Sequence, residues 1–375
     1  MFINKITSTA SVALADNARQ LEAAGKKIIK LQTGDPDFAT HPSIIEAAYK
    51  AMKDGYTHYS FAQGLPPLRQ LIASSLNAEI NGSLNESNIL VTQGAAEGIC
   101  AVFASILEYG DEVIVLEPNW STVDSLITLN GAKPVKVPFF DTDKLIENIE
   151  AAYTNKTKAI CFNTPSNPTG CILPQNSIDL IIAWAIDKNL FIIADEVYRY
   201  LQYDEFSSSL RVINEYEKYI FVDSFSKKFA MTGWRIGYVA SSQSIIRLIL
   251  KSSQLIITHV NTPTQYAAIE ALTNADVNVF CGEMKREYNE RRVLIRDFCA
   301  KHAISHLPSQ GAFYFFIKLN GSSDDVKFAN DLLINNGICV VPGSAYGESG
   351  KGFYRITYAT AVNLVLEALR IASNV

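Results

Sequence analysis

At 375 residues, 48% hydrophobic and 19% charged, the chain can bury a core large enough for two domains. A formal net charge of -5 provides no basic field for nucleic acid or an anionic membrane, and no run approaches the ~18 to 20 apolar residues that span a bilayer. Six cysteines without paired spacing fit reduced thiols rather than a disulfide framework, and Met1-Phe2-Ile3-Asn4-Lys5 lacks the apolar stretch of a signal peptide, so a soluble, cytoplasmic protein is expected.

Along the chain, residues 10–24 predict a helix and residues 28–31 an extended run. Short apolar runs at 89–92, 112–116, 159–162, 190–194 and 219–222 read as buried strands. Between the third and fourth, Ile178, Ile181, Ile182, Ala185 and Ile186 recur at helical spacing. Strands alternating with helices predict an α/β fold, in which ligands bind beyond the carboxyl ends of the strands. Polar motifs fall at all five of those ends: Gln93-Gly94-Ala95-Ala96, Pro118-Asn119-Trp120, Asn163 onward, Asp195-Glu196-Val197-Tyr198 and Ser224-Phe225-Ser226-Lys227. After about Ala275 a charge-rich helix through Glu283, Glu287, Glu290, Arg291 and Arg292 is expected, then strands over 312–318 and 353–358. This change of pattern predicts a second, smaller domain, on which the first ~40 residues also pack.

The chemistry lies in those strand-end motifs. Lys227 and Arg235 stand eight residues apart across a small-residue turn, a spacing that suits an amine holding an aldehyde cofactor and a guanidinium holding its phosphate. An exposed basic loop is the alternative. Asp195 ends an apolar strand, where its carboxylate could face a pyridine nitrogen or could cap a helix. Tyr198 could bond a ring oxygen or pack in the core. The turn Asn163-Thr164-Pro165-Ser166-Asn167-Pro168-Thr169-Gly170 presents Asn167 as an amide donor, or caps its own backbone. Trp120 offers a face for a flat ring or for packing. The small residues around Ala95 and Ala96 let backbone amides approach a phosphate at a helix start. Arg355 lies in a strand-like run where a charge needs a partner, either a substrate carboxylate or an internal acid. His302, His306 and nearby Cys299 superficially resemble a metal set, but without a carboxylate cluster they read as surface histidines.

Together these residues resemble a fold-type I pyridoxal-phosphate enzyme, a class I/II aminotransferase of the aspartate aminotransferase superfamily. The similarity runs nearly end to end, from Thr33-Gly34-Asp35-Pro36-Asp37-Phe38 through Tyr59-Ser60-Phe61-Ala62-Gln63-Gly64 to Val340-Val341-Pro342-Gly343-Ser344 and Arg355. It implies a mostly parallel seven-stranded sheet in a large domain over 45–275, with 1–44 and 276–375 forming a smaller α+β domain. It further implies pyridoxal 5'-phosphate on Lys227, which is also the proton-moving base. The phosphate would be held by Arg235, Ser224, Ser226 and the Ala95 and Ala96 amides, the pyridine nitrogen by Asp195, the ring oxygen by Tyr198 and Asn167, and the ring face by Trp120. Arg355, Asn167 and the Gly34 backbone would hold the substrate α-carboxylate. Tyr59 would cross from the second subunit of a homodimer to the phosphate. Ping-pong transfer between an amino acid and a 2-oxo acid is then expected, with the substrate side chain left open. A carbon-sulfur lyase of the same fold could share every cofactor residue. A transcription regulator would need an added DNA-binding module, for which motifs beginning by Thr33 leave no room.

Overall fold

The computed structural model describes residues 10–320 and 324–374, so the Met1 to Lys5 segment lies outside the described residues. Its centre is a seven-stranded sheet, ordered Ile89–Thr92, Gly237–Ser241, Tyr219–Ser224, Phe191–Asp195, Thr157–Asn163, Glu112–Glu117 and Lys133–Pro138. Only Gly237–Ser241 runs antiparallel to its neighbours within that sheet. The five strands expected from apolar runs are buried on both faces, which is why their hydrophobicity is continuous. Successive residues nevertheless serve opposite layers. Ile192 and Phe221 join one core with Ile178, Ile181 and Ile182, whereas Ile193 and Ile220 join another with Val102, Phe103 and Ile249.

Two strands had no such run. Lys133–Pro138 is a sheet edge, mostly half-exposed or exposed, with lysines and prolines suited to an unpaired side. Gly237–Ser241 is short and built mainly from small residues. The helical spacing from Ile178 to Ile186 falls in a helix over Gln175–Asp187. The early helix covers Ala10–Ala23, and the extended run contracts to Ile29–Lys30, paired parallel with Ile338–Cys339. The charge-rich helix spans Ala275–Lys301, capped where the Asn274 side chain accepts from the Asp276 amide. It packs with a three-stranded antiparallel sheet of Val341–Pro342, Phe353–Thr357 and Tyr314–Lys318 around Tyr288, Phe313, Phe315 and Tyr358. No helix among the described residues is long and apolar enough to cross a membrane.

Beneath the central sheet's carboxyl edge, Arg199 bridges two carboxylates. Its Nε lies 2.9 Å from Asp223 Oδ2 and its Nη2 2.8 Å from Glu79 Oε1, while the Tyr238 hydroxyl donates to Asp223 at 3.0 Å. Asp223 is buried, so removing the guanidinium leaves a carboxylate without its cation. Arg199→Met is expected to cost about 3 to 5 kcal/mol in denaturant unfolding. Adding Asp223→Asn should recover much of that loss; a double variant no more stable than the single would show that packing, not charge, sets the cost.

Candidate active site

The carboxyl ends of the strands open onto a cavity of about 630 Å³. Gly34, Ala95, Ala96, Trp120, Asn167, Asp195, Tyr198, Ser224, Ser226, Lys227, Arg235 and Arg355 all line it. Of the residues that the resemblance assigns to cofactor or substrate, Tyr59 lies elsewhere: it is 89% exposed, with its ring edge-on to His259 at 5.7 Å.

Lys227 stands on the single helical turn Phe225–Lys228, started by Ser224, whose hydroxyl accepts from the Ser226 amide at 3.3 Å. Its Nζ donates to the Gly34 carbonyl at 2.7 Å. Burial lowers its pKa to about 8; Arg355 and Arg235 act in the same direction, while Asp35 and Asp195 oppose. Such an amine releases its proton near neutrality. Lys228 points away into a different cavity, its ammonium 4.9 Å from the ring centroids of both Tyr200 and Phe229.

The helix Gly94–Ile106 brings Ala95 and Ala96 of its first turn to the cavity wall. Gly94 has φ +76°, and a Cβ there would stand 2.7 Å from Arg235 Nη2; a Cβ on Gly237 would stand 2.9 Å from the Ala95 nitrogen. The two glycines therefore let a guanidinium and a strand lie against the helix start. Arg235, the Ala95 and Ala96 amides and the Ser224 and Ser226 hydroxyls together form a donor-rich cradle suited to a phosphate dianion.

Asp195 is 5% exposed and makes no ion pair among the described residues. Burial raises its pKa to about 7 against a 3.2 Å bond from the Val197 amide, with Asp223 and Glu196 adding to the rise. That bond closes a local turn, and the helical turn that follows, Arg199–Leu201, has Tyr198 at its N-cap, so Asp195 lines the cavity wall without capping a helix. Glu196 faces the opposite way and is taken up by Ser208 and Ser209. The Tyr198 hydroxyl meets that of Tyr314 at 2.7 Å.

Arg355 is 4% exposed, and no carboxylate pairs with it among the described residues. Nη1 donates to Asn167 Oδ1 at 2.8 Å, Nη2 donates to the Gln32 carbonyl, and Nε has no partner. The guanidinium lies 4.5 Å from the Tyr314 ring centroid and 5.2 Å from that of Tyr346. The internal acid left open by the sequence is thus not what satisfies this charge. Asn167 does not cap its own turn either; its backbone N–H donates to Asn163 Oδ1 at 2.7 Å, leaving the side chain for Arg355.

Sequence reasoning missed Gln32, Asp35, Tyr314 and Tyr346, which share the cavity wall. Tyr314 sits in an expected strand, so its alternation with Phe313 and Phe315 was the available signal. His302 and His306 are used elsewhere: one ring packs on Phe298 at 4.2 Å, and the other's Nδ1 meets the Leu307 carbonyl at 2.7 Å.

Comparison with known proteins bears on the family and the fold. Residues 26–370 match the family model for aminotransferase class I and II. The chain is 33% identical over 371 residues to an aspartate aminotransferase of Thermotoga maritima, covering 98% of this chain and 96% of that protein. It is 35% identical over 356 residues to a (5-formylfuran-3-yl)methyl phosphate transaminase of Methanocaldococcus jannaschii, covering 94% and 92%. A solved structure of aspartate aminotransferase from Thermus thermophilus with maleate superposes with a TM-score of 0.93 at 30% identity, covering 100% of this chain and 98% of that one. The chain belongs to the class I and II aminotransferases.

Proposed function

We propose that the protein moves the α-amino group of an amino acid to a 2-oxo acid in two ping-pong halves, using pyridoxal 5'-phosphate. The observation that carries this is the shared cavity of Lys227, an amine that is readily neutral, and Arg355, a buried guanidinium with an unpaired Nε. The cavity's donors fit the cofactor. A Cβ on Gly94 would fill the space where Arg235 meets the phosphate cradle, and Asp195 lacks the cation that a protonated pyridine would provide. When bound, pyridoxal phosphate supplies the electron sink for breaking the substrate Cα–H bond and the carbon that carries nitrogen between the halves.

In this reading Arg235, Ser224, Ser226 and the Ala95 and Ala96 amides hold the phosphate, and Asp195 holds the pyridine nitrogen. Tyr198 and Asn167 hold the ring oxygen, with Trp120 on the ring face. Arg355 binds the α-carboxylate beside Asn167 and the Gly34 backbone. Lys227 takes the proton from Cα and delivers it on the other side of the transfer. Its bond to the Gly34 carbonyl shows where the free amine rests.

Residues 45–275 would form the cofactor-holding domain, with 1–44 and 276–375 as the smaller one. A homodimer accounts for the exposed apolar surface at Ile45, Tyr49, Met52, Tyr59, Phe61 and Leu255, and would carry Tyr59 to the partner's phosphate. Six unpaired cysteines suit the reducing cytoplasm. The test is a panel of amino donors added to holoenzyme without an acceptor. Loss of the aldehyde absorbance with one equivalent of 2-oxo acid per site supports transfer. Pyruvate and ammonia from a cysteine conjugate, with no such exchange from any donor, would replace this reading with a carbon-sulfur lyase.

A further inference from the structure

A second cavity of about 270 Å³ adjoins the turn that carries Lys227. Val197 and Ser224 line both cavities, so the two share a wall, and none of the apolar residues assigned to the dimer surface lines the second. Its carboxylates are already engaged. Asp223 receives Arg199 Nε at 2.9 Å, the Tyr238 hydroxyl at 3.0 Å and the Ser224 amide at 2.6 Å, and both Glu79 oxygens receive Arg199. Gln202 Oε1 accepts from Lys285 Nζ at 2.9 Å, which leaves the Gln202 NH2 to donate.

Lys228 lines the same cavity with three N–H donors, and among the described residues no acceptor or carboxylate pairs with it. Its ammonium rests on the rings of Tyr200 and Phe229, 4.9 Å from each centroid. Unlike Arg355 Nε, its Nζ keeps open surface. Burial lowers its pKa and Arg199 adds to the fall, while Cys281, Asp223 and Glu79 oppose it without reversing it. Much of the remaining wall is apolar, through Val197, Phe206, Phe225, Phe229 and Leu272. The cavity therefore offers a half-desolvated cation and neutral donors beside apolar side chains.

We propose that this second cavity binds a small organic monocarboxylate with an aromatic or branched apolar body, its carboxylate on the Lys228 ammonium. The Gln202 NH2 and the Ser75 hydroxyl are the further donors on the wall. A second carboxylate on the ligand would meet Glu79 and Asp223, which limits it to one. Inorganic phosphate would leave the apolar side chains unused, and a neutral ligand would leave the ammonium without a counter-charge. The site is independent of the chemistry at Lys227, so it stands whichever reaction the neighbouring cavity performs.

Benzoate is the probe, titrated calorimetrically into Arg355→Met holoenzyme so that the active site lacks its carboxylate anchor. One saturable benzoate per chain is expected, bound about ten-fold tighter than benzamide or inorganic phosphate. Adding Lys228→Met should weaken benzoate about ten-fold and leave benzamide unchanged. A second measurement needs no further variant: benzoate at about ten times its Kd should slow acetylation of Lys228 by acetic anhydride about ten-fold, read by peptide mass. Benzoate that does not saturate, or binds no better than benzamide, overturns the proposal. So does binding that Lys228→Met leaves unchanged, or that fails to protect Lys228. Phosphate matching benzoate overturns it too, because the apolar wall would then have no part in recognition.

Discussion

Lys227→Ala is expected to lower transamination by about 10⁴-fold or more and to abolish borohydride fixation of the cofactor to the chain. Two losses combine, the amine that attaches the cofactor and the base that moves the proton. The phosphate donors proposed at Arg235, Ala95 and Ala96 are untouched, so the variant should still hold pyridoxal phosphate without a covalent bond. Lys228 cannot substitute, because its ammonium rests on Tyr200 and Phe229 in a different cavity. Covalent labelling that persisted at Lys228 would make Lys228, not Lys227, the attachment residue. The wild type provides a second check through pH. An amine at about 8 rather than 10.5 is roughly 10% neutral at pH 7 instead of roughly 0.03%, a gain of about 300-fold in reactive form. Attachment of added cofactor should therefore quicken up to about pH 8 and then level off. A rate still climbing at pH 10 would mean that burial does not lower this amine.

The central sheet was legible because strands covered on both faces must be apolar throughout, as at Ile192-Ile193-Ala194 and Ile220-Phe221-Val222. Lys133–Pro138 escaped because an edge strand keeps lysines and prolines on its open side, so no apolar run marks it. The cavity's position was legible for the same reason as the sheet: polar motifs at the carboxyl ends of parallel strands must meet at one edge. Pairings across the chain were not. Arg355 and Asn167 are separated by 188 positions, and nothing local says whether that arginine meets an amide or an acid. Tyr346 lies in the short turn Gly343–Tyr346, too brief for periodicity to show which way its ring faces. Tyr59 carries no signal of its own, since its proposed role needs a second copy of the chain.

Arg355→Met is expected to reduce kcat/KM for every amino donor by about 10³-fold, because a fully desolvated charge pair is worth roughly 2 to 5 kcal/mol when one partner is truncated. Arg355→Lys should recover little. A single ammonium cannot hold Asn167 Oδ1 and the Gln32 carbonyl while leaving a third donor for the substrate. Stability discriminates between a binding role and a structural one. A guanidinium engaged in a structural ion pair leaves a buried carboxylate behind when it is removed, and the fold weakens, as expected for Arg199 beside Asp223. Arg355 has no carboxylate to strand, only an amide oxygen and a carbonyl, and its Nε is already unpaired. Its burial is a cost that the fold carries until a carboxylate arrives. Arg355→Met should therefore leave Tm unchanged or raise it while activity collapses. A Tm lowered as far as that of Arg199→Met would place Arg355 in the scaffold rather than in the binding site.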